Sequence, residues 1–471
     1  MARPFLRQCS KLLAKIPVIF PHNSFAMLRE GDIFVHDKAS ECYSTVMLYP
    51  IVRPLARQAL RLNFRRMYFS NFDRIPKEGP VILAVNHPTA FIEPCVLACF
   101  QARTLHYLVR GDFFAKPVYR FLLENTNMIP IYRRKDGGLT KVKDNYATFE
   151  RCYDALHADR ALMILAEGRC IHEKRLRPLQ KGVARIAFGT YQKYGMEDLQ
   201  IIPIGVNYTD SNAFRSELMI EVGEAIQMRD YLATYRDNGQ RAIRELTDEL
   251  ARRLAQHLII IDRPEDEVLT EHLFELHRHN QAYQIWPIAS SLPQRFRSEK
   301  QLADWVNAME VEQKRDLKRR VGAYFSALEN QGLSDFGLVQ PQHYSPQNTV
   351  VLIIGLLPFG LGLIGNAAPV ALARWVGQRL VRTVEFRHSV KLASALGFYL
   401  VYMVFLLALA VGSQNRNLLL GIVLLPFWGY FAILYQELWE RWRMGRRVRQ
   451  SPDQTIAGLR AQRQRLVESW R

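Results

Sequence analysis

VILAVNHPTAFIEP, residues 81–94, is the stretch on which the fold turns. An apolar run stops at Asn86 and His87, Pro88-Thr89-Ala90 has the composition of a turn, and Glu93 follows. On a regular helix the six steps from His87 to Glu93, at about 100° each, would put the two side chains on separated faces. They meet only if 81–85 is a strand, 88–90 a turn, and Glu93 an early residue of the next helix. The place where a strand opens into a helix is where α/β sheets carry reactive side chains. A carboxylate there can hold one imidazole nitrogen while the other accepts a proton from a hydroxyl. Taken alone, such a pair is more often a structural hydrogen bond.

Working outward, strand-like runs recur at 105–109, 128–132, 161–165, 201–206 and 218–222. Helical patterns such as YATFERCYDAL (146–156) and KGVARIAFGTYQKYG (181–195) lie between them. This rhythm predicts an α/β fold with a mixed, largely buried sheet flanked by helices. Pro203, inside an apolar run, predicts an edge strand or a bulge. Residues 47–69 carry Arg53, Arg57, Arg61 and Arg65 at four-residue spacing. They predict a basic amphipathic helix, either an ordinary packed helix or one lying on a membrane surface. Residues 256–348 read as a charged helical extension.

The net charge of +18 suits nucleic acid, an anionic membrane or phosphate-bearing substrates. No recognition-helix or RNA-binding motif is present, so nucleic acid is not expected. The long apolar stretches all follow residue 348, which predicts a membrane region over 349–445. LASALGFYLVYMVFLLALAVG (392–412) is uncharged and, as a helix, covers about 30 Å of hydrocarbon. With LLLGIVLLPFWGYFAILY (418–435) it forms a spanning hairpin, and the basic residues outside both its ends place those ends in the cytosol. VVLIIGLLPFGLGLIGNAAPVALA (350–373) contains Pro358, Asn366 and Pro369, which favour a broken, re-entrant segment over a single span. A single span would put the α/β domain on the opposite side. Residues 446–471 read as a basic cytosolic tail. Residues 1–46 read as a poorly ordered leader with no small-residue cleavage site. The six cysteines show neither metal nor disulfide spacing and fit reduced thiols. His272, His277 and His279 match no metal template and predict a surface helix.

Three further blocks accompany the first. MIPIY is followed by Arg133 and Arg134; ILAEGRCIHEKRLRPLQKGVARIAFG places Glu167, Gly168 and Arg169 after a strand; IIPIGVNY carries Pro203. In this order and spacing, over roughly residues 65–255, the blocks resemble the glycerolipid acyltransferase family with its Asn-His-x-x-x-x-Asp signature. The likeness is to its longer members, glycerol-3-phosphate and 1-acylglycerol-3-phosphate acyltransferases with a hydrophobic C-terminal region. The resemblance implies an acyltransferase α/β domain at 70–255. His87 would be the general base and Glu93 its orienting partner. Arg133, Glu167, Gly168 and Arg169 would bind glycerol phosphate, with Arg110 and Lys181 as further contacts. Pro203 would shape a wall near the acyl donor. This chain departs from the pattern with Glu93 for the usual Asp, one residue further on, with Ala166 for Pro, and with Cys170 for Ser.

The implied reaction moves a fatty acyl chain from an acyl thioester, acyl-CoA or acyl carrier protein, to a hydroxyl of 1-acylglycerol-3-phosphate. Glycerol-3-phosphate or another lysophospholipid is the alternative acceptor, and an inactive membrane scaffold the alternative from another class. No metal and no cofactor beyond the thioester co-substrate is expected. The expected surroundings are anionic lipid of a bacterial cytoplasmic membrane, with the catalytic domain facing the cytosol.

Overall fold

The computed structural model describes residues 48–132, 145–281, 288–290 and 294–470. The chain opens with α1 (Tyr49–Asn63), β1 (Arg66–Ser70), β2 (Val81–Val85), α2 (Ile92–Phe100), β3 (Leu105–Arg110), α3 (Pro117–Glu124) and β4 (Met128–Ile131). It continues through α4 (Asn145–His157), β5 (Ala161–Leu165), α5 (Gly182–Tyr194), β6 (Gln200–Tyr208), β7 (Glu217–Val222), β8 (Ile226–Gln227) and α6 (Gly239–Gln256). The strands form one mixed sheet in the order β4-β3-β5-β2-β6-β7-β1-β9, where β9 is Ile288–Ser290 and β8 adds to β6. Strands β4, β3, β5, β2 and β6 are parallel; β7 turns antiparallel to β6, and β1 and β9 follow β7.

All five residues of β2 are buried, as a central strand covered on both faces requires. Its side chains alternate between two cores. Val81, Leu83 and Val85 join Leu60 of α1 and Val96 and Leu97 of α2. Ile82 and Ala84 join Leu156 of α4, Phe188 of α5 and Leu246 of α6 on the other face.

Two expectations for this region need correction. The helix foreseen over 47–69 ends at Asn63, Phe64 turns extended, and Arg66–Ser70 become β1. Helical arginine spacing carried the pattern too far; pairing with β7, which buries Met67 and Tyr68, overrides it. The arginines also do not form one free stripe. Arg53 donates to the Gln101 carbonyl, Arg57 lies 5.1 Å over the Phe100 ring, and Arg65 pairs with Glu217 at 3.2 Å. Pro203 is not at an edge but does lie opposite a bulge, where the three residues 223–225 face Ile202 and Pro203 between the pairs Ile204–Val222 and Ile201–Ile226. It lies in central β6, at the point where that strand's antiparallel partner changes from β8 to β7, so its missing N–H interrupts no ladder.

Helices α7 (Glu267–His279), α8 (Gln294–Ala308) and α9 (Val311–Asn330) build a third core, with Phe274, Leu302, Val321 and Leu328 buried among them. The foreseen surface helix with three histidines is α7, and it is packed rather than loose. His272 stacks on Phe325 at 3.9 Å, and His279 Nδ1 lies 2.8 Å from Asp335.

Among the described residues, three helices are long and apolar enough to cross a membrane: α10 (Pro346–Arg379), α11 (Val384–Ser413) and α12 (Arg416–Gln450). The break foreseen in 350–373 is not there, because α10 runs unbroken through Pro358 and Pro369. At Gly362 an added Cβ would meet the Trp428 carbonyl, so only glycine lets α12 approach this closely. Tyr402 of α11 donates to the Gly365 carbonyl at 2.9 Å. Both ends of α10 adjoin the α/β unit and its extension. The first turn is tied by Thr349 to Trp442 at 2.8 Å, beside a segment where Gln340 bonds the carbonyls of His279 and Gln281. The last turn rests on Arg387 and Lys391 of α11, whose Leu392 packs against the α1–α2 core. A re-entrant or interfacial segment needs both ends on one side.

The tail foreseen over 446–471 is also more ordered than a solvated charge run. Residues Asp453–Glu468 form α13, whose Leu459 and Leu466 join the extension core. Arg463 reaches Asp335 at 2.7 and 3.2 Å and the Leu276 carbonyl at 2.9 Å. Removing one partner leaves a buried charge uncompensated, so Asp335→Ala should lower stability by about 3 kcal/mol in a denaturant melt. If α11 and α12 form a spanning hairpin, cysteines placed at Gln414 and Ser451 in a cysteine-free background should react with an impermeant maleimide from opposite sides of a sealed membrane. Reaction of both from one side would refute the hairpin.

Candidate active site

β2 ends level with β5 while β6 runs on, and the chain there is held by side chains instead of a ladder. Asn86 carries on the pairing to β6: its Nδ2 donates to the Val206 carbonyl at 2.9 Å and its Oδ1 accepts the Val206 N–H at 2.8 Å. An Asn amide has the donor–acceptor pair of a peptide group, so it can close a ladder as the backbone turns away. His87 follows, gripped through its own peptide. Its N–H donates to Glu167 Oε1 at 2.8 Å, and its carbonyl accepts from the Ile171 N–H at 3.3 Å. Both of these partners lie in the loop after β5. That loop turns sharply at Gly168, whose φ of +71° suits glycine.

The imidazole and the acid do come together across the turn. His87 Nδ1 lies 4.0 Å from Glu93 Oε2, beyond hydrogen-bond reach. Glu93 is completely buried. Its other oxygen, Oε1, accepts the Thr89 N–H at 2.6 Å and lies 3.5 Å from the Tyr208 hydroxyl. Thr89 Oγ1 in return accepts the Ile92 N–H at 3.3 Å. This reciprocal arrangement works like a capping box, with one more residue between its partners. Burial pushes the Glu93 carboxyl up to about 8, against the lowering effect of these hydrogen bonds. The acid beside His87 therefore holds a proton at neutral pH.

Of the other expected site residues, Glu167 is turned inward. Burial raises its pKa, and backbone N–H groups of His87 and Arg177 bond its carboxylate. Its observed task is to hold the His87 peptide. Gly168 and Arg169 are exposed on the same loop. Arg110, at the end of β3, pairs with Asp112 at 2.6 Å, and Lys181 is exposed ahead of α5. Arg133 lies outside the described residues. Pro203, foreseen beside the acyl donor, is buried within the sheet next to Ala84. A cavity of about 450 Å³ opens at this sheet edge, lined by Asn86, Pro88, Lys174, Tyr208, Asp210 and Glu271 among others. The start of α11 reaches the same loop. His172 lies within electrostatic reach of Glu385 and Asp210, while burial holds its imidazole below the ordinary range.

Comparison with known proteins agrees with this geometry. A family model described as Acyltransferase matches residues 66–207, a span that holds Asn86, His87, Glu93, Glu167 and Ile171 and stops one residue short of Tyr208. The chain is 24% identical to glycerol-3-phosphate O-acyltransferase 1 of Saccharomyces cerevisiae, over 53% of this chain and 34% of that protein. It is 30% identical to glycerol-3-phosphate O-acyltransferase 2 of the same yeast, over 24% of this chain and 15% of that one. The chain thus matches about a third or less of the length of these curated relatives. A crystal structure of the 1-acyl-sn-glycerophosphate acyltransferase PlsC from Thermotoga maritima aligns with a TM-score of 0.33 and 12% identity, over 44% of this chain and 80% of that one.

Thr89, Tyr208 and Ile171 complete the site beside Asn86 and His87 without having been expected in it. Thr89 left a signal, a Thr four residues before Glu93 that fits a cap. Ile171 left none, because it acts through its peptide. The buried acid has a measurable consequence. Glu93 keeps its proton in the folded state up to about pH 8 but loses it near 4.5 when unfolded, so stability falls as pH rises across that interval. Glu93→Gln keeps the acceptor for the Thr89 N–H and removes this slope. Its melting temperature should match the parent near pH 5 and exceed it increasingly toward pH 8.

Proposed function

We propose that this protein transfers a fatty acyl chain from an acyl thioester to a hydroxyl of a glycerol phosphate at a membrane surface. The observation that carries the reading is the juxtaposition of His87 and Glu93 across one turn, in a domain of the acyltransferase family. With Nδ1 turned to Glu93, Nε2 is the nitrogen assigned to the acceptor. Nε2 takes the hydroxyl proton as that oxygen attacks the thioester carbonyl; the C–O bond forms, the C–S bond breaks, and the proton passes to the departing thiolate. Glu93, buried beside the imidazole, would orient it for this step. Arg169, Arg110 and Lys181, with Arg133, are the cationic candidates for the phosphate, since guanidinium forks pair bidentately with phosphate oxygens.

The favoured acceptor is 1-acylglycerol-3-phosphate, because the start of α11 adjoins the catalytic loop and an acceptor with one acyl chain would arrive from lipid. Glycerol-3-phosphate is the second reading, favoured by the names of the two yeast relatives. The donor is acyl-CoA or acyl-carrier-protein thioester, and the catalytic domain faces the compartment that holds it. Purified protein in mixed micelles, supplied with each donor and each acceptor in turn, should release free thiol with one acceptor preferred. General-base removal typically costs 10²–10⁴-fold, so His87→Ala should fall by about that factor. Equal turnover by parent and variant would leave the inactive-scaffold reading.

A further inference from the structure

The segment from Gly111 to Glu124, which follows β3, has no packed outer face. Phe114 is buried, but none of the eight residues of α3 is. Val118, Tyr119, Phe121 and Leu122 are 68, 52, 60 and 45% exposed, and Phe113 just before them is 41% exposed. About half of each of five large side chains amounts to several hundred Å², the size of patch that marks an interaction site. The exposed residues are ordered by face. Val118, Phe121 and Leu122 stand three and four positions apart on one side of the helix, and Lys116 and Arg120 stand four apart on another. Lys116 lies 5.7 Å over the Tyr119 ring, and Arg110 lies 5.6 Å over that of Phe113. These are apolar faces rimmed by long cationic side chains, the pattern of a helix lying in a bilayer interface.

Position in the fold selects the occupant. β3, β5 and β2 are parallel, so α3 leaves the sheet at the same edge as the His87 loop. The apolar helices leave there too. Arg110 and Glu385, from the end of β3 and the first turn of α11, both act electrostatically on Cys170 between them. In water, a helix of eight residues that packs only on one side and buries none of them fully is marginal; an interface continuous with the hydrocarbon around α11 would cover its exposed face. Its cationic rim matches anionic headgroups.

We infer that α3 is an interfacial anchor, with Val118, Phe121 and Leu122 inserted among lipid chains and Lys116 and Arg120 at the headgroups. It thereby fixes the His87 edge of the sheet against the membrane. The inference does not depend on the reaction proposed above. To test it, the full chain with its native cysteines replaced is given a nitrobenzoxadiazole fluorophore at Val118→Cys or Phe121→Cys. It is then reconstituted in vesicles of zwitterionic and anionic phospholipid. Both labels should emit to the blue of a control at Glu197→Cys, an exposed position at the opposite ends of the strands. Both should lose most of their emission when the lipids carry nitroxides, and the control should not. Water-like, unquenched emission at both sites would overturn the inference. So would blue-shifted emission that lipid nitroxides leave unquenched, since a protein segment or a second copy would then cover the helix. Should cysteine replacement impair folding, benzoylphenylalanine in place of Phe121 in the otherwise native chain gives a second reading. A lipid adduct after irradiation supports the anchor, and a protein adduct or none refutes it.

Discussion

The peptide of His87 is gripped at both ends by the loop after β5, and the candidate site depends on that grip. Glu167 takes its N–H, the Ile171 N–H reaches its carbonyl, and Asn86 just before it is bonded twice to β6. A buried peptide group left unpaired costs about as much as a lost hydrogen bond. The arrangement that satisfies the His87 peptide at both ends is also the one that aims its imidazole. Parallel strands make this possible, since β2 and β5 bring their two loops to one edge. The carboxylate of Glu167 is consequently occupied with architecture and is not offered to an anionic ligand.

Glu93 shows the opposing demands placed on a buried acid. One oxygen caps the turn through Thr89 while the other faces His87 across a gap of 4.0 Å. The longer Glu side chain and the added residue suit each other, because together they let one carboxyl serve as both cap and neighbour. Burial resists its charge and raises its pKa against the lowering effect of the Thr89 and Tyr208 hydrogen bonds.

Away from the site, buried ion pairs tie the segments into one body. Lys174, in the loop beyond Glu167, pairs with Glu271 of α7. Glu299 of α8 is bonded by Arg278 and Arg295; although burial opposes its charge, these cations and Lys174 hold its carboxyl down to about 2. Arg295 continues to Glu217 on β7, which also pairs with Arg65. The helical extension thus braces both the catalytic loop and the antiparallel side of the sheet. Arg215, in the turn before β7, pairs with Glu437 of α12 at 2.6 Å and joins this body to the apolar helices.

Local chemistry was enough to read the central strands, the turn at Pro88, the approach of Glu93 to His87 and the resemblance to an acyltransferase domain. Each of these rests on contacts between near neighbours or on an unbroken apolar run. β1 was hidden because Arg66–Ser70 become a strand only through β7, a partner far along the chain. The role of Glu167 depended on which loop crosses next to His87, a matter of strand order and not of composition. Whether Pro203 marked an edge or a bulge was open for a related reason: the answer, a bulge between β7 and β8, depends on which strands lie opposite. The continuity of α10 through two prolines depends on close approach to α11 and α12, and the burial of Arg463 on Asp335 arriving from another helix. Sequence by itself determined the elements and the chemistry that their ends carry. Tertiary structure alone decided which peptide groups and charges those ends would satisfy, because such partners are selected by distance in space.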